Sequence, residues 1–167
     1  MSALFKKLNL GARTVIHVLN APSSLEPELA GLEGVTVKRT VPGRYAFAMA
    51  FVVTQAELDA ASRKLAGAGE DDAVLWMVYP KGTSKKYKCE FNRDSGWPAL
   101  AAAGFEPVRM VAVDEDWSAL RFRKVEHIKS MTRGATNAIS AAGRLRAKAK
   151  GKGKGKAKPH AKGKSAR

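Results

Sequence analysis

Four apolar runs, each bounded by turn-forming residues, alternate with polar segments in the first half of the chain. They predict strands within residues 14–22, 35–39, 45–53 and 73–80. Short runs rich in β-branched and aromatic residues between Gly, Pro, Asn and Ser are typical of buried strands. Because the runs are largely continuous rather than alternating, we expect a parallel sheet covered on both faces.

Helical signals lie between these runs and after the last of them. Thr54 and Glu57 form the Ser/Thr-x-x-Glu box that caps a helix, and apolar residues at helical spacing follow until Gly67 and Gly69 end the helix. Pro98 stands where the first turn of a short helix is expected, and Gly104 ends that helix. Strands that alternate with helices indicate an α/β domain.

Residues 107–125 predict two strands joined by a tight acidic turn at residues 114–116. The second strand alternates polar and apolar residues, which predicts an edge position, and the hairpin makes it antiparallel. Together the patterns predict a Rossmann-like three-layer α/β sandwich over residues 1–126, with a mostly parallel sheet and a C-terminal antiparallel hairpin.

The rest of the chain consists of two segments that differ in composition. Residues 127–146 carry apolar residues at helical spacing beside Lys and Arg, which predicts an amphipathic basic helix. Residues 147–167 are rich in Lys, Gly and Ala and have no apolar side chain larger than Ala. Such a segment cannot offset its ordering entropy, so we expect a disordered basic tail.

Charge is distributed unevenly. The chain has 30 Lys or Arg and 15 Asp or Glu, a net charge of +15, and residues 144–167 contain 11 Lys or Arg and no acid. A flexible polycation binds phosphates by releasing counterions, and nothing in this segment is arranged to read bases. We expect non-specific nucleic-acid contact, the alternative being a tail that only raises solubility. The tail lysines are Lys148, Lys150, Lys152, Lys154, Lys156, Lys158, Lys162 and Lys164.

A single cysteine, Cys89, excludes an internal disulfide and suits a reducing compartment. The longest apolar run, residues 45–53, is shorter than the roughly 20 residues that a membrane helix needs. The amino terminus has no apolar stretch typical of a signal peptide. We expect no membrane partner and a cytoplasmic protein, either free or associated with the nucleoid.

Sites for cofactors and metals lack their usual residues. The loop at residues 20–24 contains no glycine, and the second strand ends in Lys38 and Arg39 rather than an acid. Dinucleotide sites, and by analogy S-adenosylmethionine sites, need glycines for close backbone approach and an acid for ribose, so we expect no cofactor. Three scattered histidines and one cysteine give no metal-ligand or nucleophile spacing, so we expect no metal and no catalytic residue.

Cations gather after the fourth strand, at the edge where open α/β sheets bind ligands. Four residues are candidate anion ligands: Lys81, Ser84, Lys85 and Arg93. The acidic turn with Asp114 and Asp116 should lie at the same edge. Two interpretations stay open. Either the loop forms an anion pocket, or Lys81 or Arg93 pairs with these acids and pins the loop, and we favour the ion pair, which contributes ~0–1 kcal/mol.

The segments RTVIHVLNAP, VLWMVYPKGTSKKYK and VRMVAVDEDWSALRFRKVE resemble an uncharacterised bacterial family of small, degenerate methyltransferase-like Rossmann domains. That family has a Lys-bearing loop after a Trp-containing strand and a VDxxWS turn, which are here Pro80-Lys81 and residues 113–118. The resemblance covers residues 8–125, implies the fold and assigns no activity. The Lys/Gly/Ala-rich tail is not part of the shared domain.

We therefore expect a non-enzymatic protein that contacts nucleic acid through its tail. The alternative is an enzyme or a domain that binds a small anion at the Lys81 loop. A deep cavity between this loop, residues 20–24 and the acidic turn would favour the alternative. Filling of that space by Trp97 and Trp117 would favour the first interpretation.

Overall fold

A computed structural model describes residues 2–91 and 97–128. Six strands form one sheet: β1 (Val15–Leu19), β2 (Thr36–Lys38), β3 (Tyr45–Phe51), β4 (Gly69–Pro80), β5 (Phe105–Ala112) and β6 (Trp117–Lys124). Four helices accompany it: α1 (Ala3–Lys7), α2 (Glu26–Ala30), α3 (Gln55–Ala66) and α4 (Pro98–Ala102). Short 3-10 turns lie at Ser23–Leu25 and Val125–His127.

The strand order in the sheet is β2-β1-β3-β4-β6-β5. The pairs β1–β2, β1–β3 and β3–β4 are parallel, whereas β6 runs antiparallel to both β4 and β5. The mixed α/β class, the mostly parallel sheet and the antiparallel hairpin are confirmed, and the arrangement is consistent with a Rossmann-like fold.

Side chains from the two faces of the sheet enter separate apolar cores. On one face, residues of α1 and α2 pack with alternate residues of β3 and β4, among them Phe47 and Trp76. On the other face, α3 and α4 pack with the intervening residues, among them Ala48 and Leu75. This double coverage explains why the runs are apolar at successive positions.

The residues at the start of α3 cap this helix by hydrogen bonds. The Thr54 hydroxyl accepts a hydrogen bond from the Glu57 backbone N–H, and Glu57 accepts from the Thr54 backbone N–H, so the predicted capping box is present at α3.

The Trp76 indole N–H donates to the carbonyl of Leu8 at 2.8 Å. Because both residues are fully buried, this bond ties the end of the α1 segment to the centre of the sheet.

The predicted edge position of the last strand is wrong. β6 lies between β4 and β5, and β5 forms the edge. Polar and apolar residues alternate in β6 because of cations on one face only. Arg121 and Arg123 lie on the α1 face, beyond the buried Trp117 and Ala119. Two polar positions within an interior strand therefore imitate the pattern of an edge.

The boundaries show three further differences. β4 begins at Gly69, where the sequence suggested a helix end, and the five-residue helices α1 and α2 were not predicted. In the predicted helix at residues 127–146, His127 ends a 3-10 turn, Ile128 is extended, and the other residues lie outside the described part. In the described part of the chain, no helix has the length and apolarity needed to cross a membrane.

Candidate anion site at the carboxyl edge of the sheet

The loop after β1 occupies the position where nucleotide-binding α/β folds hold a phosphate. Asn20 has a φ of 59°, a left-handed conformation that Asn tolerates better than most residues. Ala21 and Pro22 follow, so the loop presents Cβ atoms where a glycine would let a ligand approach the backbone. α2 has Glu26 and Glu28 in its first turn, and carboxylates at a helix N-terminus oppose phosphate binding there.

The basic end of β2 is paired. The guanidinium of Arg39 donates to both carboxylate oxygens of Glu26, at 2.9 and 2.7 Å. Both side chains are about half exposed, so the pair contributes little to stability. The consequence of the pair is local, because Glu26 engages the guanidinium at the end of β2.

The loop after β4 is attached to the acidic turn through Ser84 and the backbone. The Ser84 hydroxyl donates to a carboxylate oxygen of Asp116 at 2.9 Å and accepts from the backbone N–H groups of Lys86 and Tyr87, both at 3.2 Å. The Lys81 backbone N–H donates to the Asp116 carbonyl at 2.8 Å. The Ser84 hydroxyl therefore stabilises the loop both as a donor and as an acceptor.

The acidic turn stabilises itself as well as the loop. A carboxylate oxygen of Asp114 accepts from the backbone N–H groups of Asp116 and Trp117, at 2.8 and 2.9 Å. This is the usual way in which Asp shapes a turn. Across residues 2–91 and 97–128, Lys81 forms no ion pair with either aspartate, and hydrogen bonds attach the loop to the turn instead. The alternative pairing through Arg93 lies outside the described residues and stays a prediction.

The far end of the loop is fixed to α3. The Glu90 backbone N–H donates to the Val53 carbonyl, and a Glu90 carboxylate oxygen accepts from the Gln55 backbone N–H at 2.8 Å. With both ends attached, the side chains of Lys85, Lys86 and Lys88 are left exposed. The loop therefore presents cations on a defined backbone.

Tryptophans fill both sides of the sheet at this edge. Trp117 lies 5.2 Å from the ring of Phe51 and 4.8 Å from that of Tyr87, in the core that includes α1. Trp97 lies 5.8 Å from Tyr79 and 4.8 Å from Phe122, in the core that includes α3. Both are almost fully buried, at 3% and 4% exposure for Trp97 and Trp117.

A cavity of about 450 Å³ opens beside these residues. Residues of the segment 79–91 line it, including Lys81, Lys88 and the thiol-bearing Cys89, whereas residues 20–24 and the acidic turn do not. Burial raises the pKa of the Cys89 thiol above its ordinary value. A thiol with a raised pKa is a weak nucleophile near neutral pH. The cavity can offer positive charge to a ligand.

The predicted site residues are brought together in part. Lys81, Ser84, Asp114 and Asp116 lie at one edge, as expected, and Lys85 is an exposed neighbour. The candidate ligand Arg93 and the tail lysines lie outside the described residues. Within the described ranges, no group of three or more His, Cys, Asp or Glu side chains is placed to hold a metal ion.

The sequence reasoning overlooked a second basic region. Arg109 on β5 lies directly across from Arg121 on β6, and Arg123 and Arg13 are close by. The available signal was the repetition of Arg at positions 121 and 123, which places both on one face of a strand. That these arginines form a cluster with Arg109 becomes visible only once β5 is known to pair with β6.

No family model matches the sequence, and no curated protein matches it. One solved structure with detectable similarity is that of the pyocyanin biosynthetic protein PhzM, with 13% identity and a TM-score of 0.39. The match covers 72% of this chain and 52% of that chain, so this protein spans about half the length of the neighbour. Membership in the family that the sequence resembles stays a prediction.

Proposed function

We propose that this chain is a non-enzymatic protein with a degenerate Rossmann-like domain, and that its C-terminal tail contacts nucleic acid without sequence preference. The observation that carries the proposal is the separation of charge along the chain. Residues 144–167 contain 11 Lys or Arg and no acid. The residues that the structure describes contain 16 Lys or Arg and 14 Asp or Glu, so they are almost neutral.

The physical basis is counterion release. Each phosphate that a cationic side chain neutralises adds about −0.9 to the slope of log K against log salt concentration on duplex DNA. If about half of the tail cations contact phosphates, the slope is about −4 to −5. Affinity then falls by roughly a few hundred-fold between 50 and 200 mM salt, on the same scaling. Base sequence has little effect, because the tail lacks groups placed to read base edges.

The test is a salt titration of binding by fluorescence anisotropy on two unrelated duplexes. It compares the wild type with a full-length tail-neutral variant, in which eight lysines become Gln: Lys148, Lys150, Lys152, Lys154, Lys156, Lys158, Lys162 and Lys164. We expect the variant to lose most of the affinity and most of the slope on both duplexes. Equal binding by the two proteins would refute the role of the tail.

The cavity lined by Lys81 and Lys88 supports a second candidate, an enzyme or a domain that binds a small anion at the carboxyl edge. In the same titration, a variant with Lys81, Lys85, Lys86 and Lys88 replaced by Ala serves as the comparison. If the tail carries the binding, this loop variant binds nearly as wild type. Loss of binding in the loop variant alone would favour the folded loop as the anion site.

A further inference from the structure

A cluster of arginines lies on the α1 face of the sheet, away from the Lys81 loop. The arginine cluster comprises Arg13 in the α1–β1 loop, Arg109 on β5, and Arg121 and Arg123 on β6. Arg121 pairs in register with Arg109 on one side and with Trp76 of β4 on the other. Directly opposed residues of an antiparallel pair share a face, so both guanidinium groups project on the α1 side.

A β-bulge gives Arg109 this orientation. The register shifts between Pro107, which pairs with Phe122, and Arg109, which pairs with Arg121. The extra residue between them is Val108, which is 40% exposed. Because two consecutive partners on β6 point to opposite faces, the bulge sets Pro107 and Arg109 on opposite faces as well. Two like charges are thereby placed opposite each other, an arrangement that disfavours folding.

Carboxylates neutralise only one side of the arginine cluster. Arg123 donates to both oxygens of Asp72, and the buried Glu106 lies across from Arg123 in register. In the described part of the chain, neither Arg109 nor Arg121 takes part in an ion pair. Positive charge therefore remains at the β5 side of the arginine cluster.

Arg121 lies at its centre. Its Nε atom is buried and has no hydrogen-bond partner among the described residues. Burial lowers the pKa of Arg121 from its ordinary value, and the charges of three neighbouring arginines lower it further, whereas the charge of Asp72 partly offsets them. Arg13 contributes one of these charges while its own Nη1 donates to the carbonyls of Asn9 and Leu10. A buried donor without a partner is costly, and the neighbouring arginines add to that cost, so an anion close to the guanidinium would be favoured.

The C-terminal segment cannot supply that anion. Residues 129–167 contain no Asp or Glu. The C-terminal segment follows Ile128 in sequence, and Ile128 lies only four residues after β6, at the end of the strand that carries Arg123. A ligand bound to the tail is therefore tethered by the chain to this end of β6.

We propose that the arginine cluster binds the phosphodiester backbone of the nucleic acid that the tail contacts, so that the folded domain provides a second, fixed phosphate site. This inference rests on the proposed function. Guanidinium groups suit the role because their planar fork can donate two hydrogen bonds to one phosphate. Arg109 and Arg121, on adjacent strands, would share one phosphate or bind two successive ones.

The test uses the full chain with Arg109→Gln and Arg121→Gln together. The matched control is Arg63→Gln with Lys64→Gln, which removes the same charge from exposed positions on α3, on the opposite face. We expect the arginine variant to bind duplex DNA more weakly and to make the salt slope less negative by about 1 to 2. We expect the control to keep the wild-type slope. Arginine and control variants with equal slopes would overturn the proposal.

Two further measurements make the result specific. Thermal melting should give the arginine variant a Tm at or above that of wild type, because a like-charge pair is removed. If the double variant fails to fold, the single change Arg109→Gln at the exposed edge position replaces it, with an expected slope change of about 1. A folded Arg109→Gln variant with the wild-type slope would refute the site.

The tail-neutral variant separates this inference from the proposed function. Residual binding in that variant should disappear when Arg109→Gln and Arg121→Gln are added. If the tail-neutral variant binds as wild type while the arginine variant does not, the tail proposal fails and the arginine cluster stands. If the arginine variant binds as wild type while the tail-neutral variant does not, the tail proposal stands and the arginine cluster fails.

Discussion

Replacement of Ser84 by Ala should release the lysine loop from the acidic turn. The change removes one hydrogen bond to the Asp116 carboxylate and the acceptor for two backbone N–H groups of the loop. A hydrogen bond to a charged group is worth about 1.5–3 kcal/mol when it is shielded. This one is partly buried, so we expect a loss of about 1–2 kcal/mol in local stability, a factor of about 5–30 in the open population of the loop.

The assay is limited trypsin digestion with cleavage after Lys85, Lys86 and Lys88 followed by mass spectrometry. When opening is fast relative to cleavage, the cleavage rate follows the open population, so the rate at these bonds should rise by the same factor of about 5–30. Thr83→Ala is the matched control, because it removes a hydroxyl in the same exposed loop that has no hydrogen bond among the described residues. Equal cleavage of Ser84→Ala and Thr83→Ala would refute the attachment through Ser84.

Two further predictions concern the core and one ion pair. Trp76→Phe leaves the buried Leu8 carbonyl unpaired, so it should cost about 1–3 kcal/mol more in urea unfolding than Trp117→Phe, which removes the same atoms without that bond. Equal costs would refute the role of the indole N–H. The hydrogen bond from Arg123 holds the pKa of Asp72 below its ordinary value, so this stabilisation is present above about pH 4 and is lost as pH falls through the folded-state pKa. Wild type should exceed Asp72→Asn in stability by on the order of 1 kcal/mol or less at pH 7, and pH-dependent unfolding should show that difference shrink below about pH 4.

The strands could be predicted because burial leaves a direct mark on the sequence. A strand such as β3 is covered by α1 and α2 on one face and by α3 on the other, so its residues must be apolar at successive positions. The capping box at Thr54 and Glu57 is equally local, since its residues are three positions apart. Both patterns can be recognised in a single sequence because each depends only on residues that are close together in the chain.

The strand order could not be predicted in the same way. β6 follows β5 directly in sequence, and the hairpin between them looks the same whichever strand meets β4. Only the pairing of β4 with β6, which runs from Leu75–Phe122 to Pro80–Trp117, places β6 inside the sheet. The short helices α1 and α2 were not predicted for a different reason, since five residues are too few to show a helical periodicity of apolar residues.

The lysines and arginines of the folded domain are held in different ways, and the difference bears on what each can bind. Lys85, Lys86 and Lys88 are exposed on a loop that is fixed at both ends, so their charges are solvated and have few geometric demands. A lysine ammonium in that position acts as a hydrated point charge. Arg121 instead lies in an interior strand with a buried Nε, next to Arg109 across the ladder. The backbone sets the face on which Arg121 lies, which costs stability through like-charge repulsion, and burial of its Nε reduces the side-chain entropy that is lost on binding. Two arginines at fixed positions of adjacent strands suit a ligand of defined geometry such as a phosphodiester, whereas the loop suits a diffuse counterion. This favours the arginine cluster over the loop as the anion site that we propose for the folded domain.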